Sequence, residues 1–151
     1  MKYILLFLIF ASNLTAQAQI SNAFILVGPK FNFNIGNGEH RFSGGLEASA
    51  WTFNNSQIPF GVDFGFEFER DRCRIYAELQ TGALLGLSAG PVVELTRETQ
   101  AIGFQSSVWA ALFLGTDMRY RRINATNYFA PGFFFKVPVL NKGNLGFFQF
   151  H

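Results

Sequence analysis

Two histidines, one cysteine and ten carboxylates are what a chain of 151 residues offers here for acid–base, nucleophilic or metal chemistry. His40 follows Glu39 and precedes Ser43 by three residues, which are the residue types of a nucleophile, base and carboxylate for hydrolysing lipid. They sit in a polar turn, where such side chains are ordinarily solvated, and a triad is defined by geometry rather than by neighbourhood. His151 is the last residue and has no such company. Asp63, Glu67 and Glu69 share one face of an extended segment, and close acids can tune each other for proton transfer. With several arginines in the chain, ion pairing is the simpler use of these acids. Cys73 has no second cysteine to bridge to, and with two histidines it makes no Cys/His zinc set. The glycine-rich stretch 82–90 lacks the lysine and the strand–loop–helix setting of a phosphate loop, and reads as strand. Asn124-Ala125-Thr126 matches a glycosylation sequon, a three-residue pattern read here as coincidence. No catalytic, cofactor-binding or metal site is expected.

The elements that would position these groups are unusual in composition. The chain has 20 Phe and 15 Gly, and charged residues make up 15% against about 25% in an ordinary soluble protein. This suggests β structure in an apolar setting. A net charge of +2 provides no basic field for nucleic acid. The length suits one domain. At the N-terminus, Lys2, an apolar run over 3–11 and a polar stretch over 12–19 containing Ala16-Gln17-Ala18 have the anatomy of a secretory signal peptide. Residues 1–18 are therefore expected to be removed, leaving 19–151. The apolar run falls far short of the roughly 20 residues of a membrane helix.

The clearest pattern lies over Phe60–Glu69, where Phe60, Val62, Phe64, Phe66 and Phe68 alternate with Gly61, Asp63, Gly65, Glu67 and Glu69. Successive side chains of a strand point to opposite faces, so this segment has one apolar face and one face of glycine and acid. The same period of two recurs with Phe31, Phe33 and Ile35, with Ile75, Ala77 and Leu79, with Leu87, Ala89, Pro91 and Val93, and with Ile102, Phe104 and Val108. Turn residues at 36–38, 54–56, 70–71, 98–100, 124–127 and 141–144 divide the chain. Strands are predicted over 23–35, 41–53, 59–70, 72–84, 86–97, 101–121, 127–140 and 144–151. Eight is an even count, and the length of 101–121 leaves room for a further turn at 110–114.

Volume decides which face meets what. The interior of an eight-stranded barrel is just wide enough for its own side chains, and so many Phe do not fit there. The apolar stripes are therefore expected to face lipid. The opposite stripes fill the lumen with a charge network of Lys30, Arg41, Glu47, Asp63, Glu67, Arg74, Glu78, Glu94, Asp117 and Arg119, in which both signs neutralise each other. Closure satisfies the backbone groups that hydrocarbon cannot. Trp51, Trp109, Tyr120 and Tyr128 are candidates for interfacial girdles.

In its alternating stripes, glycine-rich lumen face and aromatic C-terminal segment, the chain resembles the small outer-membrane β-barrels of Gram-negative bacteria, of the kind found in the membrane domain of OmpA and in OmpX. The resemblance is one of pattern and extends over 20–151. It implies an all-β, antiparallel up-and-down transmembrane barrel, a monomer in outer-membrane lipid. In that group the last strand ends in an aromatic residue read by the barrel-assembly machinery during insertion. Phe148 and Phe150 share a face and would serve as this signal, although His151 follows them.

The expected role is structural, in adhesion or in envelope maintenance, without catalysis. Three alternatives are a narrow pore for small solutes, a lipid-modifying enzyme using His40, and a soluble lipocalin-like binder whose Phe stripes turn inward.

Overall fold

A computed structural model describes residues 23–52 and 59–142. Nine strands, β1 (Ala23–Gly36), β2 (Glu39–Thr52), β3 (Phe60–Glu69), β4 (Arg72–Gly82), β5 (Leu85–Thr96), β6 (Gln100–Ala110), β7 (Leu114–Ile123), β8 (Thr126–Phe135) and β9 (Val137–Lys142), follow one another in the chain. Each pairs antiparallel with its sequence neighbour from β1 to β8. Both β8 and β9 pair with β1, on the side away from β2. They are two halves of one wall strand, parted at Lys136, and the pairing of β9 with β1 shifts register between Ile25 and Leu26 of β1. The wall thus closes as an eight-stranded up-and-down barrel. Closure leaves no unpaired sheet edge, which a strand in hydrocarbon requires.

The alternation read from the sequence appears as alternating burial. Along β7 every second residue, from Gly115 to Ile123, is buried and the intervening ones are exposed. The buried set is the ionic one. Phe42 is 62% exposed, Ile102 76% and Phe68 55%, and these side chains stand on the outer surface beside Phe33, Phe64, Phe66, Phe104 and Phe133. Phe31 stacks on both Phe42 and Phe133, so the aromatic surface runs across β2, β1 and β8.

The hairpins sort the two ends. One end carries the short turns 37–38, 70–71, 97–99 and 124–125, of which Arg70-Asp71 and Arg97-Glu98 bring charge to this end. The Asn37-Gly38 pair has φ of 52° and 74°, the left-handed pair of a two-residue hairpin that matches strand twist. Asn124-Ala125 takes the same form at 47° and 62°. The opposite, apolar end carries 83–84 and 111–113, composed of Ala, Leu and Phe. There the amide of Ala111 donates to the Leu84 carbonyl at 2.7 Å, and that of Lys136 to the Phe113 carbonyl at 2.6 Å.

Two expectations are corrected. The predicted strand 101–121 is two strands, β6 and β7, separated by Ala111–Phe113, with Ala111 at φ 66°. The strand that closes the wall against β1 is 126–142, in place of the predicted 127–140 that would have stood one strand from closure. The predicted strand 144–151, the turn at 54–56, the signal peptide and the assembly residues Phe148 and Phe150 lie outside the described residues.

Candidate functional site

The lumen is where this chain concentrates its polar chemistry, and it is stratified along the barrel axis. Near the apolar end, Phe24 and Leu26 from the start of β1 meet Trp51 from the end of β2, Trp109 from the end of β6 and Phe134 of β8. Leu112 and Phe113 of the β6–β7 turn pack against this cluster. Trp51 and Trp109 meet edge to face, with centroids 5.5 Å apart, a favoured aromatic geometry. Both indoles are inside the barrel, so neither belongs to an interfacial girdle. Each stands in phase with inward residues of its own strand, Ser49 and Ser107.

At mid-height Glu47 is the hub. Its carboxylate is 2.5 Å from Lys136 Nζ, 3.0 Å from Lys30 Nζ and 3.3 Å from Arg119 Nη2, and it accepts a 2.5 Å bond from the Tyr76 hydroxyl. Lys30 continues to Asp117 at 2.7 Å, Arg119 to Glu78 at 3.0 Å, and Lys136 to Asp63 at 3.5 Å. The Arg119 guanidinium lies 4.5 Å over the Tyr76 ring. Tyr76 in turn occupies the space above Gly65, where a Cβ would collide with its ring.

Toward the charged end a second hub forms on Glu67. Arg121 engages it with both terminal nitrogens, Arg74 reaches it at 3.1 Å, and Ser43 and Asn34 donate to it at 2.7 and 3.1 Å. Arg74 also pairs with Glu69 and Glu94, each at 2.7 Å, and lies 5.5 Å from the Tyr128 ring centre. Charges in such surroundings persist only when paired and hydrogen-bonded, and both hubs meet that condition.

Nine of the ten residues expected in the lumen network are buried there. Arg41 is at the mouth, its side chain 27% exposed, because it lies three residues past the β1–β2 turn. It donates to Asp71 at 2.5 Å and to Glu39 at 2.9 Å, and this hydrogen bond holds the Asp71 carboxyl below the ordinary aspartate range. Arg121 and Lys136 were not among the expected members. The phase of Asp117 and Arg119 places Arg121 inward, but it sits in the run Arg119-Tyr120-Arg121-Arg122, which hides the alternation. Lys136 is set among Phe133, Phe134, Phe135 and Val137.

The groups that invited a chemical reading are held apart or occupied. His40 is exposed on the outer face, stacked on Phe33, whereas Ser43 is buried in the lumen with Glu67. An odd spacing along a strand puts the two on opposite sides of the wall. Asp63, Glu67 and Glu69 do share the lumen face, and each is ion-paired. Glu47, Asp63 and Glu78 bring oxygens within 4.8 Å of one another; Lys136 pairs with Glu47 and Asp63, and Arg119 with Glu47 and Glu78, so the three acids are neutralised by side chains of the barrel. Tyr120 points outward and donates to Asn127 at 2.8 Å. Tyr128 is half-buried against Tyr76, Val92, Ala101 and Ile123. Between the aromatic cluster and the Glu47 hub, a cavity bordered by Lys30, Glu47, Asp117, Arg119 and Trp109 measures about 10 Å³, room for about one water molecule.

No protein-family model matches the chain, and no curated protein sequence does. Among solved structures, a de novo designed transmembrane β-barrel overlaps 80% of this chain and 98% of its own at 12% identity and a TM-score of 0.48. Neisserial surface protein A (NspA) overlaps 76% and 96% at 12% identity, with a TM-score of 0.43. Ail, the attachment invasion locus protein of Yersinia pestis, overlaps 78% and 99% at 10% identity, with a TM-score of 0.36. Closed over eight strands, antiparallel throughout, aromatic outside and ionic within, the chain is a small β-barrel of the architecture that the OmpA membrane domain and OmpX share.

Proposed function

We propose that the chain is an integral outer-membrane barrel with a sealed lumen, serving the envelope structurally and without catalysis. The observation that carries this reading is the ionic filling of the interior: of the largest fully buried side chains, Arg119 and Arg121 reach across the lumen from β7 to carboxylates on β2, β4 and β3, and Arg74 ties Glu67 and Glu94 of the two strands beside its own. A filled eight-stranded interior suits a packed wall better than a solute path. The outward aromatic surface supports residence in lipid, and a secretory signal over 1–18 would supply the route. The described turns at the charged end have two or three residues each. They offer little surface for grasping a protein partner, which favours an envelope-maintenance role over adhesion.

Planar-bilayer recording and cell fractionation test the proposal. The folded protein is expected to show heat-modifiable migration, to stay in outer-membrane fractions through an alkaline carbonate wash, and to give no reproducible single-channel steps. Large regular conductance steps would overturn the sealed lumen. Release by carbonate would overturn membrane integration.

A further inference from the structure

The cations of this barrel divide sharply by partner. Every described cation of the lumen and mouth lies against a carboxylate. Arg70, Arg97 and Arg122 are exposed and have no carboxylate partner among the described residues. Of the ten acids, Glu98 alone is likewise without a cation there. All three arginines are at the charged end: Arg70 in the β3–β4 turn, Arg97 in the β5–β6 turn and Arg122 one residue before the end of β7. The described turns at the opposite end, 83–84 and 111–113, bear no charge, and Lys142 is the cation that closes β9 there.

Their height matters as much as their charge. Arg122 is on the outer face, directly across from Phe104 on β6 and Asn127 on β8, and Phe104 is 57% exposed on the apolar surface. The turns that hold Arg70 and Arg97 are too short to lift them away from the wall. The three guanidinium groups therefore stand where the aromatic surface stops, spread around the circumference. An outward arginine is costly deep in hydrocarbon and cheap at its boundary. At that boundary the anions within reach are lipid phosphates, whose oxygens match the planar donor fork of arginine.

We propose that Arg70, Arg97 and Arg122 form a collar that binds anionic phosphate-bearing lipid headgroups, so that the charged end faces the leaflet richer in such lipid. This rests on the transmembrane reading above, and the test separates the two. The full chain is folded into phosphatidylcholine vesicles with and without phosphatidylglycerol, and spin-labelled lipids report which headgroup occupies the layer touching the protein.

The wild type is expected to select phosphatidylglycerol over phosphatidylcholine about fivefold. The selection should fall toward unity in Arg70→Gln/Arg97→Gln/Arg122→Gln and in about 1 M salt, and should survive in part with lysine at the three positions. Equal occupancy by the two lipids in the wild type would overturn the collar, and so would selectivity that persists in the glutamine variant. Should the glutamine variant not fold, the salt titration of the wild type decides alone: selectivity insensitive to salt overturns the proposal. Failure of the wild type to enter either bilayer would instead overturn the membrane reading itself.

Discussion

Glu67 on β3 and Arg121 on β7, 54 residues apart, join across the lumen through both guanidinium nitrogens. The arginine side chain is completely buried. Replacing Glu67 by Gln leaves Arg121 with the neutral oxygens of Asn34 and Gln105, whereas Arg74 keeps Glu69 and Glu94. Stranding one partner of a buried pair costs about 3–5 kcal/mol, while removing both costs much less. In urea unfolding from lipid vesicles, Glu67→Gln should therefore lose more stability than Glu67→Gln/Arg121→Gln. Additive losses would show that the two residues act independently.

The edge-to-face contact of Trp51 with Trp109 seals the apolar end from within. These are the two tryptophans of the chain, so its indole fluorescence reports on the lumen. Brominated acyl chains should quench it less than they quench an indole introduced by Phe104→Trp on the outer face. Truncation by Trp109→Ala should cost about 3–5 kcal/mol through the cavity it leaves. Strong quenching of the native pair would place the tryptophans in lipid.

How far the barrel could be read beforehand varies along the chain, for physical reasons. Over Phe60–Glu69 the period of two is nearly perfect, because the segment has an exposed apolar face on one side and the ionic lumen on the other. Strand and facing follow together. The β6–β7 turn was legible only as excess strand length: Ala111, Leu112 and Phe113 are not turn residues by chemistry, since Leu112 and Phe113 serve to plug the barrel end. The two tryptophans look like girdle residues by type and are lumen residues by phase. Arg121 and Lys136 were readable by phase as well, but local runs of like residues blurred it. Pairing was less accessible than facing. That Glu47 serves three cations depends on which strands the closed wall sets opposite one another, and no local spacing encodes that.

Asp71, exposed in the β3–β4 turn, has its carboxyl lowered chiefly by the hydrogen bond from Arg41. A group whose value falls on folding favours the folded state above its unfolded value and loses that contribution as pH drops through the folded value. The Arg41–Asp71 contact should therefore be intact at neutral pH and give way only on the acid side of the ordinary aspartate range. Carbon-detected titration of Asp71 in micelles checks this. In Arg41→Gln the Asp71 midpoint should move up toward the ordinary value, and an unmoved midpoint would remove Arg41 as the cause.

Position along the wall should set the cost of an outward charge. Phe64 is near the middle of β3 and 47% exposed on the outer face, while Leu84 is in an end turn and 77% exposed. If the aromatic surface meets hydrocarbon, arginine at mid-depth costs about 2–4 kcal/mol, falling to about 0–1 near the interface. Phe64→Arg should thus lower folding stability in vesicles by several kcal/mol and Leu84→Arg by little, although Leu84 is the more exposed of the two. In water the order would follow exposure and both changes would be mild, since a charged side chain on a solvated surface costs almost nothing. Equal and small effects at the two sites would mean that no bilayer surrounds β3.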